Sequence, residues 1–345
     1  MKEKKSNFQN GNNLSKYYIY IILFVLGIIL FFVGVFIGEK GYNNFSQFKE
    51  KTYQFRDKSN YKFINPLIEC DIFRNSDFIK YNSLQDKIKT ISDKITSNGG
   101  IQHISVYFRD LDNGPWFGYN ENEEFTPASL LKVPIMISYF KKAETDQNIL
   151  NKKILFQEDT SSEMNNIIQN IKPKKELIKG KEYTIDQLIE NMIIYSNNKA
   201  VNILLQNIDA DYLNIIYSDL NIRVNENSIS GDFMTVKDYA YFFRILYNAS
   251  YLNREMSEKA LNLLSQIDFK EGLVAGVPND IIVSHKFGER INGSVIQLHD
   301  CGIIYYPNKP YLLCIITRGD NLETLKKIVA DVSKAIFDEI SLLVN

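Results

Sequence analysis

Three short groups of residues could do chemistry together. Ser129 and Lys132 stand three residues apart at the head of an apolar run, Ser196-Asn197-Asn198 falls between two helical patterns, and Lys286-Phe287-Gly288 ends a strand pattern. A serine and a lysine three apart share one face of a helix. If that face is buried, desolvation and neighbouring cations lower the lysine's pKa, and its amine can take the serine's proton. Pro127 marks a helix start just before them. That puts Ser129 in a first turn, where orphan N–H groups and the helix dipole favour developing negative charge. In the second group a serine can relay a proton and an asparagine amide can hold a substrate amide. In the third, Lys286 can hold a substrate carboxylate, and Gly288 lets a substrate approach the backbone. The N–H of Glu289 can pair with that of Ser129 as an oxyanion hole, the kind of donor worth about 3 kcal/mol of transition-state stabilisation. Each group alone also fits a plainer role: a capping serine with a solvated lysine, a capping Ser-Asn loop, an edge strand with a turn glycine.

The surrounding sequence predicts the scaffold. From Ser83 to Ser97, Leu84, Ile88, Ile91 and Ile95 recur at helical spacing. Ile104 to Phe108 and Trp116 to Tyr119 read as strands flanking Asp112-Asn113-Gly114, a hairpin signal. The middle, from Leu130 to about Ile267, is mostly helical by pattern, most clearly at 185–194, 199–206 and 236–247. Strand patterns return at 281–285, 295–305 and 311–317, the last two joined by Pro307-Asn308-Lys309-Pro310, and 322–343 reads as an amphipathic helix. The expected fold class is α/β (α+β). An antiparallel sheet is built from both ends of the chain, flanked by the terminal helices, with an all-helical subdomain inserted.

Taken together, the order and spacing of the three groups resemble the class A β-lactamase and penicillin-binding protein superfamily, whose signature set is Ser-x-x-Lys, Ser-Asp-Asn and Lys-Thr-Gly. The resemblance runs from about residue 83 to the C-terminus. It also covers Phe125-Thr126-Pro127-Ala128 before Ser129, Tyr195 before Ser196, and His299-Asp300-Cys301-Gly302-Ile303-Ile304-Tyr305. It implies a β-lactamase/transpeptidase-like fold with the site between the sheet edge and the helical block. By motif, Ser129 is the implied nucleophile and Lys132 the base. Ser196 passes a proton toward the leaving nitrogen, Asn198 binds the acyl side chain, and Lys286 helps place a carboxylate. The implied substrate is a small-molecule β-lactam or a cell-wall peptide, and no cofactor or metal is required. Three departures stand out. Asn197 replaces the usual Asp, and Phe287 replaces a Thr or Ser hydroxyl. The stretch 220–235 is short and lacks a Glu-Pro-Glu-Leu-Asn type sequence, leaving Glu226 and Asp232 as candidates for the base that deacylates. The readings to separate are a β-lactamase-like serine hydrolase, a D,D-peptidase on cell-wall peptides, and a non-catalytic binding or sensor domain.

Gross properties narrow the setting. A formal net charge of -1 argues against nucleic acid as the main partner. Residues 17–38 carry no charge, enough at about 1.5 Å per residue to cross a hydrocarbon core of about 30 Å. Lys2, Lys4, Lys5 and Lys16 precede this stretch. The positive-inside rule therefore predicts a cytoplasmic tail (1–16), a single-pass anchor (17–38), a stalk (39–80) and an extracytoplasmic domain (81–345) in the cell membrane. No small-residue cleavage pattern follows Gly38, so an anchor is expected rather than a cleaved signal peptide. Gly34 and Gly38 form a GxxxG, a helix-pairing face that does not by itself fix an oligomeric state. Cys70, Cys301 and Cys314 give no disulfide framework or metal spacing. Cys301 and Cys314 could meet across a hairpin, but buried free thiols are the expectation. His103, His285 and His299 lie in strand patterns without a nucleophile elbow, which argues against a Ser-His-Asp triad.

Overall fold

The computed structural model describes residues 20, 24–28, 54–56, 61–70, 82–97, 101–111, 116–157, 170–222 and 231–344. The chain divides into two units, Met1–Lys51 and Thr52–Asn345. In the first, residues 20 and 24–28 are exposed helix. The expected tail, most of the anchor and most of the stalk lie outside the described residues, as do Asp112-Asn113-Gly114 and Glu226. Among the described residues no helix is long and apolar enough to cross a membrane.

The second unit opens with paired strands β1 (Gln54–Arg56) and β2 (Leu67–Cys70). Between them Phe63 and Ile64 are buried, and the Asn65 N–H donates to Tyr247 O at 2.8 Å. This part of the expected stalk is therefore docked on the domain. Helix α1 (Asn82–Ser97) buries Leu84 and Ile88, the stripe that its spacing predicts. Strands β3 (His103–Asp110), β4 (Trp116–Tyr119) and β5 (Glu124–Phe125) lead into a 3-10 turn at Ala128–Leu131 and then α2 (Lys132–Ala143). A small hairpin, β6 (Lys153–Leu155) with β7 (Glu182–Thr184), precedes α3 (Ile185–Ile194), α4 (Asn198–Gln206) and α5 (Ala210–Asp219). After β8 (Met234–Thr235) come α6 (Val236–Tyr247) and α7 (Arg254–Ser265). The chain closes with β9 (Val283–Asn292), β10 (Val295–Ile304), β11 (Tyr311–Gly319) and α8 (Leu322–Val344).

Both ends of the chain meet in one antiparallel sheet of order β4-β3-β11-β10-β9. The joint is the pairing of β3 with β11, from Tyr311 opposite Asp110 to Arg318 opposite His103. Helix α8 packs on α1 and on β10 and β11, while α6 packs on β3, β10 and β11. Every residue of β11 from Tyr311 to Thr317 is buried, so both sheet faces are covered there. Side-chain caps set the helix starts. Thr184 and Thr235 form capping boxes on α3 and α6, and Asn197 caps α4.

Two expectations change. The strand predicted to stop at His285 continues to Asn292, so Lys286-Phe287-Gly288 lies inside β9 rather than at its end. Register also sets Cys301 directly opposite Cys314, and the two are joined as a buried disulfide, correcting the expectation of free thiols.

Candidate active site

Among the described residues strand β9 is a sheet edge, with β10 on one side and no strand on the other. Its open side lies against the Ala128–Leu131 turn. Gly288 permits this approach, since a Cβ there would come 2.9 Å from Pro127 O and 3.0 Å from Leu130 Cγ. Ser129 sits in that turn, 8% exposed. It precedes α2 rather than occupying its first α-helical turn, because Ala128 adopts a left-handed conformation (φ 48°) and the Leu130 N–H closes on Pro127 O. Ser196, in the turn between α3 and α4, is also left-handed (φ 54°). Such conformations cost about 1–3 kcal/mol each in non-glycine residues and tend to mark functional sites. Most of the other non-glycine residues of this kind are asparagines, which tolerate the conformation better.

Lys132, the first residue of α2, is 3% exposed. Its Nζ donates to Ser196 O at 2.5 Å, Ser196 Oγ at 3.0 Å and Asn198 Oδ1 at 2.8 Å. Lys286, fully buried, donates to the same Ser196 Oγ at 3.1 Å and to Phe287 O at 3.0 Å. Its Nζ also lies 4.1 Å from the centroid of the Phe287 ring. Ser196 Oγ thus bridges two lysine amines, and among the described residues neither amine meets a carboxylate. Burial, and then the charge of Lys286, hold the Lys132 amine well below its ordinary pKa. Burial lowers Lys286 to about 7, partly offset by the negative charge of Asp300. That carboxylate belongs to a pair on the other face of the sheet, where Asp300 Oδ1 is 2.8 Å from His285 Nδ1 and Asp300 Oδ2 accepts from the Leu273 N–H. His285 accordingly points away from Lys286, as strand alternation requires.

Asn197 serves the scaffold. Its Oδ1 accepts from the Ala200 N–H, and its Nδ2 donates to Lys175 O. The outer residues of the triplet, Ser196 and Asn198, are the ones that meet Lys132. The Ser129 hydroxyl makes no hydrogen bond among the described residues. Ser129 stands three residues before Lys132 in the chain, and the neighbouring Leu130 packs on Gly288.

Other expected residues are placed differently. Asp232 Oδ1 accepts from Thr126 Oγ1 at 2.6 Å, and Asp232 Oδ2 pairs with Arg318 at 2.7 Å. It has no hydrogen bond to Ser129, Lys132 or Ser196. Glu289 was expected to act through its backbone N–H alone, but its carboxylate, in a residue only 4% exposed, accepts from the N–H groups of Asn170 at 3.1 Å and Ile171 at 3.0 Å. That contact spans 119 residues of sequence, and nothing local signals it.

A serine–histidine–acid array also exists. His103 lies 2.8 Å from Ser105 Oγ and 2.9 Å from Glu123. Ser105 is 1% exposed, and its hydroxyl donates to Asn120 O, so His103 has no serine proton to take. His299, buried and lowered to about 3 by burial, donates from Nε2 to Thr126 O. Among the described residues no cluster of His, Cys, Asp or Glu could hold a metal ion.

Known proteins share the family and the fold. Residues 83–340 match the family model described as the beta-lactamase enzyme family. Among solved structures, a PBP-A variant in acyl-enzyme complex with penicillin G is 18% identical, with a TM-score of 0.61 over 75% of this chain and 97% of its own. A beta-lactamase from Xanthomonas campestris pv. campestris is 20% identical, with a TM-score of 0.63 over 74% and 98%. One from Chitinophaga pinensis is 17% identical, with a TM-score of 0.63 over 75% and 100%. At these identities the structures establish a shared fold. The family match extends over most of the sequence: the chain belongs to the beta-lactamase enzyme family, and with it to the serine hydrolases that act on amide bonds.

Proposed function

We propose that Ser129 attacks a β-lactam or a related amide and forms an acyl-enzyme. The observation that carries this reading is the pair of buried lysines converging on Ser196 Oγ with only neutral oxygens as partners. Burial and the charge of Lys286 favour the neutral form of Lys132, whose two N–H groups Ser196 O and Asn198 Oδ1 can hold, since both only accept. Its lone pair is then left on the hydroxyl side of the cluster. The hydrogen bond from Ser129 to that lone pair forms with substrate in place, since such contacts are often long in an unliganded site. Lys132 takes the proton as Ser129 Oγ adds to the carbonyl carbon, and the N–H groups of Ser129 and Glu289 receive the oxyanion. Ser196 gives its proton to the leaving nitrogen, helped by the charge of Lys286, and takes in its place the proton that Lys132 received, as the C–N bond breaks. The acyl group remains as an ester on Ser129 until water removes it.

A second reading concerns that last step. Asp232 is committed to Thr126 and Arg318, so it is poorly placed to activate water. Unless Glu226 supplies the base, deacylation is slow, as in a penicillin-binding D,D-peptidase acting on cell-wall peptides. Intact-protein mass after mixing with penicillin G, as the free acid and as its methyl ester, tests both readings. Either form should add its full mass to wild type and not to Ser129→Ala. A persistent adduct supports the peptidase reading, whereas consumption without an adduct supports a β-lactamase. If neither form is bound or consumed, acylation is wrong and the non-catalytic binding reading replaces it.

We also propose that residues 17–38 anchor the chain, with the domain extracytoplasmic. The support is the uncharged stretch and the lysines before it. Protease added to intact cells should remove the domain. Full protection would refute this orientation.

A further inference from the structure

The cleft has two walls. One is β9 from Lys286 to Glu289. The other holds Ser196 and Asn198, and the segment running from Asn170 to Lys175 is tied to it through the bond from Asn197 to Lys175 O. Glu289 clasps these walls together by accepting the Asn170 and Ile171 N–H groups. A substrate carboxylate beside the scissile amide would need hydrogen-bond donors at this end of the cleft, and among the described residues of these two walls the lysines are already engaged. Lys286 spends its ammonium on Ser196 Oγ, Phe287 O and the face of the Phe287 ring. Phe287 offers no hydroxyl, and its ring packs on Phe269 at 4.4 Å between centroids. Lys174, on the clasped segment, pairs with Asp268 at 2.8 Å. The anion already in place, Glu289, would repel a second one, and a carboxylate buried without partners is strongly disfavoured.

From this geometry we infer that Glu289 is a specificity-determining residue. Its clasp, together with Phe287, selects amides that carry an uncharged group, rather than a carboxylate, beside the scissile bond. This narrows the substrate class of the acylation proposed above and rests on that reading. The backbone N–H of Glu289 remains free for the oxyanion, so the side chain sets selectivity separately from the chemistry.

The test uses the full-length chain in detergent and measures rates of Ser129 acylation by penicillin G and by its uncharged methyl ester. Wild type should react faster with the ester. Glu289→Ala should raise the rate with the acid by about tenfold or more relative to the ester, the scale expected when a pocket stops rejecting a charged group. Phe287→Thr, which adds a hydroxyl donor, should raise it further. If Glu289→Ala does not fold, Glu289→Gln removes the charge and keeps an acceptor for the clasp, and should shift the ratio the same way. A wild type that prefers the acid, or variants that leave the ratio unchanged, would overturn the inference. Acylation would still stand, with the anion received by a donor outside these two walls. If neither compound labels Ser129, the acylation reading fails and takes this inference with it.

Discussion

Among the described residues lysines are buried in two places, and they solve the problem of burial differently. At one end of the sheet, Lys309, 8% exposed in the turn between β10 and β11, meets the carboxylate of Asp110 at 2.8 Å, with Asp110 itself 1% exposed. In the cleft, Lys132 and Lys286 are buried as deeply, yet they share a serine hydroxyl and otherwise meet neutral oxygens or a ring. The first arrangement ties strand β3 to the β10–β11 turn. The second is destabilising on its own terms, because two like charges are desolvated side by side. A fold keeps such an arrangement when the lowered pKa is itself useful, and a general base needs an unprotonated amine near neutral pH.

Lys132→Met should break this contrast most visibly. Acylation should fall by about 10²–10⁴-fold, the usual contribution of a positioned base. The variant should nevertheless melt higher than wild type at neutral pH, because an apolar side chain of similar length carries no desolvation cost. The sign follows from linkage. A lysine whose folded pKa lies below 10.5 costs stability at pH below 10.5. The cost is fully present below the folded value and disappears as pH approaches 10.5. The stability gained by Lys132→Met should therefore shrink as melts are repeated at rising pH. A variant that melts lower than wild type at every pH would mean that Lys132 is structural.

Asp110→Asn is the reverse experiment. Removing one partner of a buried ion pair should cost about 3–5 kcal/mol in chemical denaturation. The acylation rate measured well below the melting temperature should stay within about twofold of wild type, since the pair lies outside the cleft. If acylation falls as far as it does in Lys132→Met, the two regions are coupled and the contrast is wrong.

What the sequence reveals divides along the same line. Residues whose role is set by neighbours in the chain were legible. The 3.6-residue spacing of α1 belongs here. Residues whose role is set across the fold were not. Strand β9 looked finished at His285 because a lysine, a glycine and a glutamate follow. It runs on because Lys286 finds Ser196 and Gly288 finds the Pro127 carbonyl. The partners of Glu289 are backbone N–H groups in a segment without periodicity, so no side-chain pattern announces them. Cys301 and Cys314 needed the register of β10 and β11 before their pairing could be read.

Gly288→Ala probes the contact that joins the cleft walls. The new Cβ would sit 2.9 Å from Pro127 O, a backbone atom that cannot rotate away. The expected cost is about 1–3 kcal/mol in stability, as for other overpacked sites. Acylation should fall more than stability implies, because the turn that carries Ser129 is pushed from the Glu289 N–H. Unchanged acylation by both penicillin forms would remove Glu289 from the oxyanion hole.

The finest test concerns Asp300, the nearest that the cleft lysines come to an anionic partner. It acts on Lys286 from the other face of the sheet without a hydrogen bond, and its charge raises a pKa that burial has lowered to about 7. Acylation needs Lys286 charged and Lys132 neutral, so the rate should rise with pH through the lowered value of Lys132 and decline above about 7 as Lys286 loses its proton. Asp300→Asn keeps the shape and removes the charge. Without it the Lys286 pKa falls further, and the alkaline limb should move to lower pH by roughly one unit or less. The acid limb belongs to Lys132. It should stay or move slightly upward, because a Lys286 that gives up its proton sooner repels Lys132 less. An alkaline limb that stays in place would mean that Asp300 supports His285 and Leu273 but does not tune the lysine, and the contrast between paired and unpaired cations would then be complete rather than graded.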